Sequence, residues 1–219
     1  MKKFIVIFMF ISMQSMAQPL KIADGVKFLA LGDSYTIGES VDARQRWPVQ
    51  LATALRKKGI TCSDPIIIAT TGWRTDDLKN AIQHAHLKPE YTLVSLLIGV
   101  NNYYQGKSAE SYAPEFEELL HTAIHLAGGI KSHVFVLSIP DYGYTPFGKE
   151  KQAEISQGID AFNAVNKTIA GRLGITYINI TDISRHGFTE PDLVAGDGLH
   201  PSGKMYTAWV ARILAAAGL

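Results

Sequence analysis

Along the chain, short runs of apolar residues alternate with longer stretches in which apolar positions recur every three or four residues. The short runs cover residues 27–31, 65–69, 91–98, 133–139 and 176–180, and they read as strands buried on both faces. The periodic stretches cover 47–58, 76–86, 109–127, 151–172 and 203–217, and they read as amphipathic helices. Ser108 ahead of Glu110 marks a helix start, and Gly128-Gly129 marks the matching stop. Five strands, each followed by a helix, predict an α/β fold: a flavodoxin-like three-layer sandwich with a five-stranded, mostly parallel sheet and helices on both faces. In such a sheet ligands bind outside the carboxyl ends of the strands.

The N-terminus departs from this pattern. Lys2 and Lys3 precede an apolar run broken by Ser12, and Ser15-Met16-Ala17 follows, the layout of a secretory signal peptide over residues 1–17. The run falls short of the roughly 20 residues of a spanning helix, so no stable membrane anchor is expected. Residues 18–219 are then read as one domain, without repeat or linker, acting in a secreted or periplasmic setting. The single cysteine, Cys62, rules out an internal disulfide. Lysine and arginine number 21 against 20 aspartates and glutamates, a balance that offers no footprint for nucleic acid.

Candidate chemistry gathers at the predicted strand ends. Gly32-Asp33-Ser34 follows the first strand, which places Ser34 where a helix N-terminus lends backbone N–H groups. That tripeptide alone equally describes a turn or a helix cap. Asp197-Gly198-Leu199-His200-Pro201 precedes the last helix. A serine hydroxyl needs an imidazole to take its proton, and the imidazole needs an acceptor on its other nitrogen; Asp197 and His200 satisfy the second need within one loop. Acyl transfer also needs donors for the developing oxyanion. Thr71-Gly72-Trp73 after the second strand and Gly99-Val100-Asn101-Asn102 after the third supply a glycine N–H and an asparagine amide.

In these four blocks the chain resembles the GDSL, or SGNH, hydrolase family, named for Ser, Gly, Asn and His, and the blocks fall in the family's order. The resemblance implies Ser34 as nucleophile, His200 as general base, Asp197 as its orienting acid, and an oxyanion hole formed by Ser34, Gly72 and Asn101. It implies a carboxylic ester hydrolase that works through an acyl-enzyme, lysophospholipase-like or short-acyl, with polysaccharide O-deacetylation as the alternative and no cofactor. A non-catalytic glycan-binding module of the same fold is the reading from another class; an intact Ser, Asp and His argue against it. One position departs: the third block usually ends in aspartate, and here Asn102 stands there.

Other features are less specific. The Gly-x-Ser-x-Gly pentapeptide of larger α/β-hydrolases, the Walker loop and the dinucleotide fingerprint do not occur in the sequence. His121 and His125 lie one helical turn apart without a third ligand, so no metal site is expected, and His84 and His86, near a helix end, read as ordinary histidines. Residues 140–148 form a long irregular stretch rich in Pro, Gly and aromatic residues. Aromatic side chains crowd the strand-end loops, namely Tyr35, Trp73, Tyr103, Tyr104, Tyr142, Tyr144 and Phe147, and they suit either a substrate groove or loop packing. Trp73, Tyr103 and Tyr142 are the candidates for contacting a small-molecule or glycan ester. The sequence carries no mark of oligomeric state.

Overall fold

The computed structural model describes residues 18–219; the predicted leader, residues 1–17, lies outside the described residues. Five strands, β1 (Phe28–Gly32), β2 (Ile66–Ala69), β3 (Leu93–Leu97), β4 (Val134–Leu137) and β5 (Thr176–Ile178), form one sheet in the order β2-β1-β3-β4-β5. Every pairing is parallel, with Leu31 opposite both Ile68 and Leu96. Among the described residues eight α-helices are interleaved: α1 (Ser34–Ile37), α2 (Trp47–Lys57), α3 (Thr75–His84), α4 (Val100–Tyr104), α5 (Ala109–Leu126), α6 (Gln152–Leu173), α7 (Thr181–Ser184) and α8 (Gly203–Ala216). Helices α2 and α8 pack together on one face, while α3, α5 and α6 pack in a row on the other. Right-handed crossovers require this division, because the sheet grows one way from β1 to β2 and the other way from β3 onward.

The helix ends follow from local chemistry. Asp77 accepts from the Arg74 N–H at 3.0 Å ahead of α3, Ser108 Oγ accepts from Ser111 N–H at 3.2 Å in α5, and Gly174 closes α6 in the left-handed region at φ 74°. The strands are shorter than the apolar runs that predict them. Tyr91, Ile98, Ile139 and Ile180 are buried, so hydrophobicity extends past the paired residues. At β5 the cause is visible: Ile180 N–H donates to Ser138 Oγ at 2.7 Å instead of continuing the ladder. Helices α1 and α4 are not foreseen from periodicity, since four or five residues cannot show a helical repeat.

Gly99 joins β3 to α4 at φ 124°, a conformation closed to other residues, and a Cβ there would lie 2.7 Å from the Tyr112 hydroxyl and 2.9 Å from Ile139 Cδ1. The same hydroxyl lies 3.0 Å from the Ile98 carbonyl and 2.8 Å from Asn166 Oδ1, its one proton shared between them, which pins the end of β3 to α5 and α6. Gly99→Ala is expected to cost about 2 kcal/mol or more of unfolding free energy in a urea titration; a cost below half of that would show that the turn can relax.

Asp33, between β1 and α1, is fully buried. Its Oδ1 caps α1 by accepting the Tyr35 N–H at 3.0 Å, and its Oδ2 has no partner among the described residues. Burial pushes its carboxyl up to about 7, against the weaker pull of the Tyr35 bond. Between its unfolded value, about 4, and that folded value, the unfolded chain has lost a proton that the native state keeps, so stability falls as pH rises through the window. Asp33→Asn keeps the cap and removes the titration. Its melting temperature relative to wild type should therefore rise from about pH 4 to about pH 8, and a difference independent of pH would refute this origin.

Candidate active site

Three strand ends and one loop converge. Ser34 is the first residue of α1, so its N–H is one of the unpaired donors of a helix start. Gly72 lies in the turn between β2 and α3 at φ 84°, and Asn101 is the second residue of α4. Neither the Ser34 N–H nor the Gly72 N–H donates to another protein group among the described residues. Asn101 Nδ2 donates one proton to the Trp73 carbonyl at 2.9 Å, which orients the amide and leaves its second N–H uncommitted. Ser34, Gly72, Asn101 and His200 line one cavity of about 280 Å³.

His200 and Asp197 sit at the tip of a small closed loop. A bridge between Val194 and Pro201, with Ala195 N–H donating to the His200 carbonyl at 2.7 Å, fastens its base. Gly198 makes the turn at φ 73°. Within it, Asp197 Oδ1 accepts the backbone N–H groups of Leu199 at 2.9 Å and His200 at 3.0 Å. Asp197 Oδ2 lies 2.6 Å from His200 Nδ1 and accepts the Ser40 hydroxyl at 2.6 Å. Partial burial works to raise the Asp197 carboxyl, but the donors from Ser40, His200 and the backbone outweigh it and hold the group well below the usual carboxylate range. An ionised carboxylate only accepts, so Nδ1 of His200 carries the proton and Nε2 is the basic nitrogen. The Tyr35 ring meets the His200 ring edge-on with centroids 5.9 Å apart. Ser34 Oγ and His200 share the cavity without a direct hydrogen bond between them.

Asn102, where an aspartate is usual, is buried behind the cavity. Its Oδ1 accepts the Thr75 N–H at 3.2 Å, and its Nδ2 donates to Thr75 Oγ1 at 2.6 Å. The Thr75 hydroxyl in turn donates to Glu115. This chain ties α4, which carries Asn101, to the start of α3, just past Gly72. An aspartate at 102 would need the single hydroxyl proton that Glu115 receives, whereas the asparagine supplies a donor of its own.

The cavity's aromatic lining is Tyr35, Tyr104, Tyr142 and Phe147. Of the three candidate contact residues, Tyr142 is among them; Trp73 and Tyr103 are not. The Trp73 ring packs against the core, and its contribution to the site is the carbonyl that holds Asn101. Tyr103 meets Phe162 edge-on with centroids 5.8 Å apart and donates to the Glu154 carbonyl at 3.1 Å, on the α6 side. The reason is the helix: two residues on from Asn101 lies on the opposite face, and three residues on, Tyr104, returns to the same face. Ser40 carries no motif, and no sequence signal marks it. His121 lies 3.7 Å from Glu117, and no cluster of three or more metal-ligating side chains exists among the described residues.

No curated protein matches the sequence. Among solved structures, the chain is similar to Axe2, an acetylxylan esterase from Geobacillus stearothermophilus, at 18% identity and a TM-score of 0.73, covering 91% of this chain and 97% of Axe2. It is similar to TesA at 18% identity and a TM-score of 0.66, covering 87% and 97%. A member of the lipolytic protein G-D-S-L family from Veillonella parvula matches at 16% identity and a TM-score of 0.69, with the same coverage. These likenesses establish the shared fold. Residues 30–208, from β1 into α8, match the GDSL-like Lipase/Acylhydrolase family. With a match over most of its length, the chain belongs to the GDSL-like lipase/acylhydrolase family and is an ester-hydrolysing enzyme of that family.

Proposed function

We propose that the chain hydrolyses short-acyl carboxylic esters through Ser34, His200 and Asp197 and a covalent acyl-enzyme. The observation that carries this reading is the convergence of Ser34, His200, Gly72 and Asn101, from four separate segments, on one cavity of about 280 Å³. In the reaction Ser34 Oγ attacks the ester carbonyl as its proton passes to His200 Nε2. Asp197, held as a carboxylate, stabilises the imidazolium. The Ser34 N–H, the Gly72 N–H and the second Asn101 N–H receive the oxyanion. His200 returns the proton to the leaving alcohol, then activates water to release the acid. Ser34 Oγ and His200 are not hydrogen-bonded in this structure, and catalytic contacts of this kind tighten when substrate binds.

The cavity is small beside the roughly 300–1,000 Å³ of pockets that enclose drug-sized ligands, and its ring-lined walls suit a short acyl group. A second reading, removal of an acetyl group from a sugar, is favoured by a neighbouring cavity of about 550 Å³. That cavity shares Tyr104, Tyr142 and Phe147 with the first, is also lined by Tyr103, the second of the candidate contact residues to border a cavity here, and is rimmed by Glu150, Lys151 and Glu154. Rings and charged hydrogen-bonding groups together are the surface a polyhydroxylated alcohol needs. No helix of the described residues is long and apolar enough to cross a membrane. Export rests on the leader pattern of residues 1–17.

Ser34→Ala is expected to abolish turnover of p-nitrophenyl acetate and labelling by a fluorophosphonate while the melting temperature stays that of wild type; retained turnover would move the nucleophile elsewhere. Asn101→Ala should lower kcat by about a hundredfold, and an unchanged kcat would take it out of the oxyanion hole. Across esters from acetyl to dodecanoyl, kcat/KM should be highest at the short end, with acetylated xylo-oligosaccharides testing the sugar reading. Preference for long acyl chains or lysophospholipids would overturn the short-acyl assignment.

A further inference from the structure

The corner that follows α1 places two consecutive polar side chains on different parts of the site. Gly38 closes α1 in the left-handed region at φ 73°, and Ser40 enters the same region at φ 63°, uncommon for a residue with a side chain. Glu39 accepts a hydrogen bond from the hydroxyl of Thr71, the residue before Gly72. Ser40 donates to Asp197 Oδ2 at 2.6 Å across 157 residues of sequence.

The two oxygens of Asp197 are held differently. Oδ1 is fixed by two backbone N–H groups of its own loop. Oδ2, which receives His200 Nδ1, has one further donor, the Ser40 hydroxyl. No hydrogen bond joins His200 to Ser34, so the imidazole has to approach the serine to take its proton. As the ring moves, Ser40 is the one donor to Oδ2 among the described residues that does not move with it. A glycine at 40 would adopt φ 63° at no steric cost; serine accepts that cost and gains the bond.

We infer that Ser40 is a positioning residue for the catalytic acid, anchoring Asp197 Oδ2 independently of the histidine that the same oxygen orients. The inference rests on the triad assignment above. Ser40→Gly keeps the left-handed backbone and deletes the hydroxyl. Ser40→Asn keeps a left-handed-tolerant residue and puts an amide N–H donor in place of the hydroxyl.

With the full chain and p-nitrophenyl acetate, Ser40→Gly should lose about tenfold in kcat with KM within about twofold of wild type. Its melting temperature should be no lower, and Ser40→Asn should recover most of the lost kcat. Wild-type kcat in Ser40→Gly, while wild-type enzyme is labelled at Ser34 by a fluorophosphonate, would overturn the role of Ser40 and leave the triad standing. Equal losses in both variants with a lowered melting temperature would assign Ser40 to folding alone and overturn it too. A folded wild type that neither turns over the ester nor takes the label would overturn the triad reading itself.

Discussion

β1 pairs in parallel with β2 on one side and β3 on the other, and that double pairing decides where the chemistry can stand. Parallel neighbours end on the same edge, so the residues leaving β1, β2 and β3 emerge side by side although they are far apart in sequence. The chain order reverses between β2 and β3, so the crossovers around β1 depart to opposite faces and leave a crevice above it. Ser34, Gly72 and Asn101 are what the three strands deliver to that crevice. The remaining group, His200, arrives from the far edge of the sheet, and its loop has to be fastened separately. The Val194–Pro201 bridge does that from within the loop, and the Ser40 hydroxyl does it from across the site.

The electrostatics of the region depend on the contrast between two carboxylates. Asp33 is buried with one oxygen unmatched, and burial raises it toward neutrality. Asp197 is also partly buried, yet its oxygens are surrounded by donors, and it stays ionised. The same side chain thus serves as a helix cap in one place and as a fixed negative charge in another, according to how many donors reach it.

Alternating apolar runs were enough to read the sheet and its large helices, because burial on both faces leaves an unbroken apolar signature in a parallel strand. Strand ends were less legible, since Ile98, Ile139 and Ile180 stay buried after ladder pairing stops. The four blocks that line the cavity were legible as blocks. The aromatic wall was read less well. Treating residues 99–102 as a loop gives no reason to prefer Tyr104 to Tyr103, and the choice is made by α4, too short to show a period. Ser40 and the Asn102–Thr75–Glu115 chain were illegible for another reason: each joins residues distant in sequence, through ordinary polar side chains that no spacing singles out.

Helix α8 lies against α2, and the contact is partly polar: Gln50 Nε2 donates to the Gly203 carbonyl at 3.0 Å, and the Thr207 hydroxyl donates to Gln50 Oε1 at 2.7 Å. Helix α2 follows the Ser40 corner, and α8 follows His200. Docking of these two helices therefore holds the Ser34 end of the chain beside the His200 end. A nascent chain that had built all five strands but not yet docked α8 would hold a serine with no base beside it. On the proposed triad, esterolytic competence would then report the docking of α8 on α2.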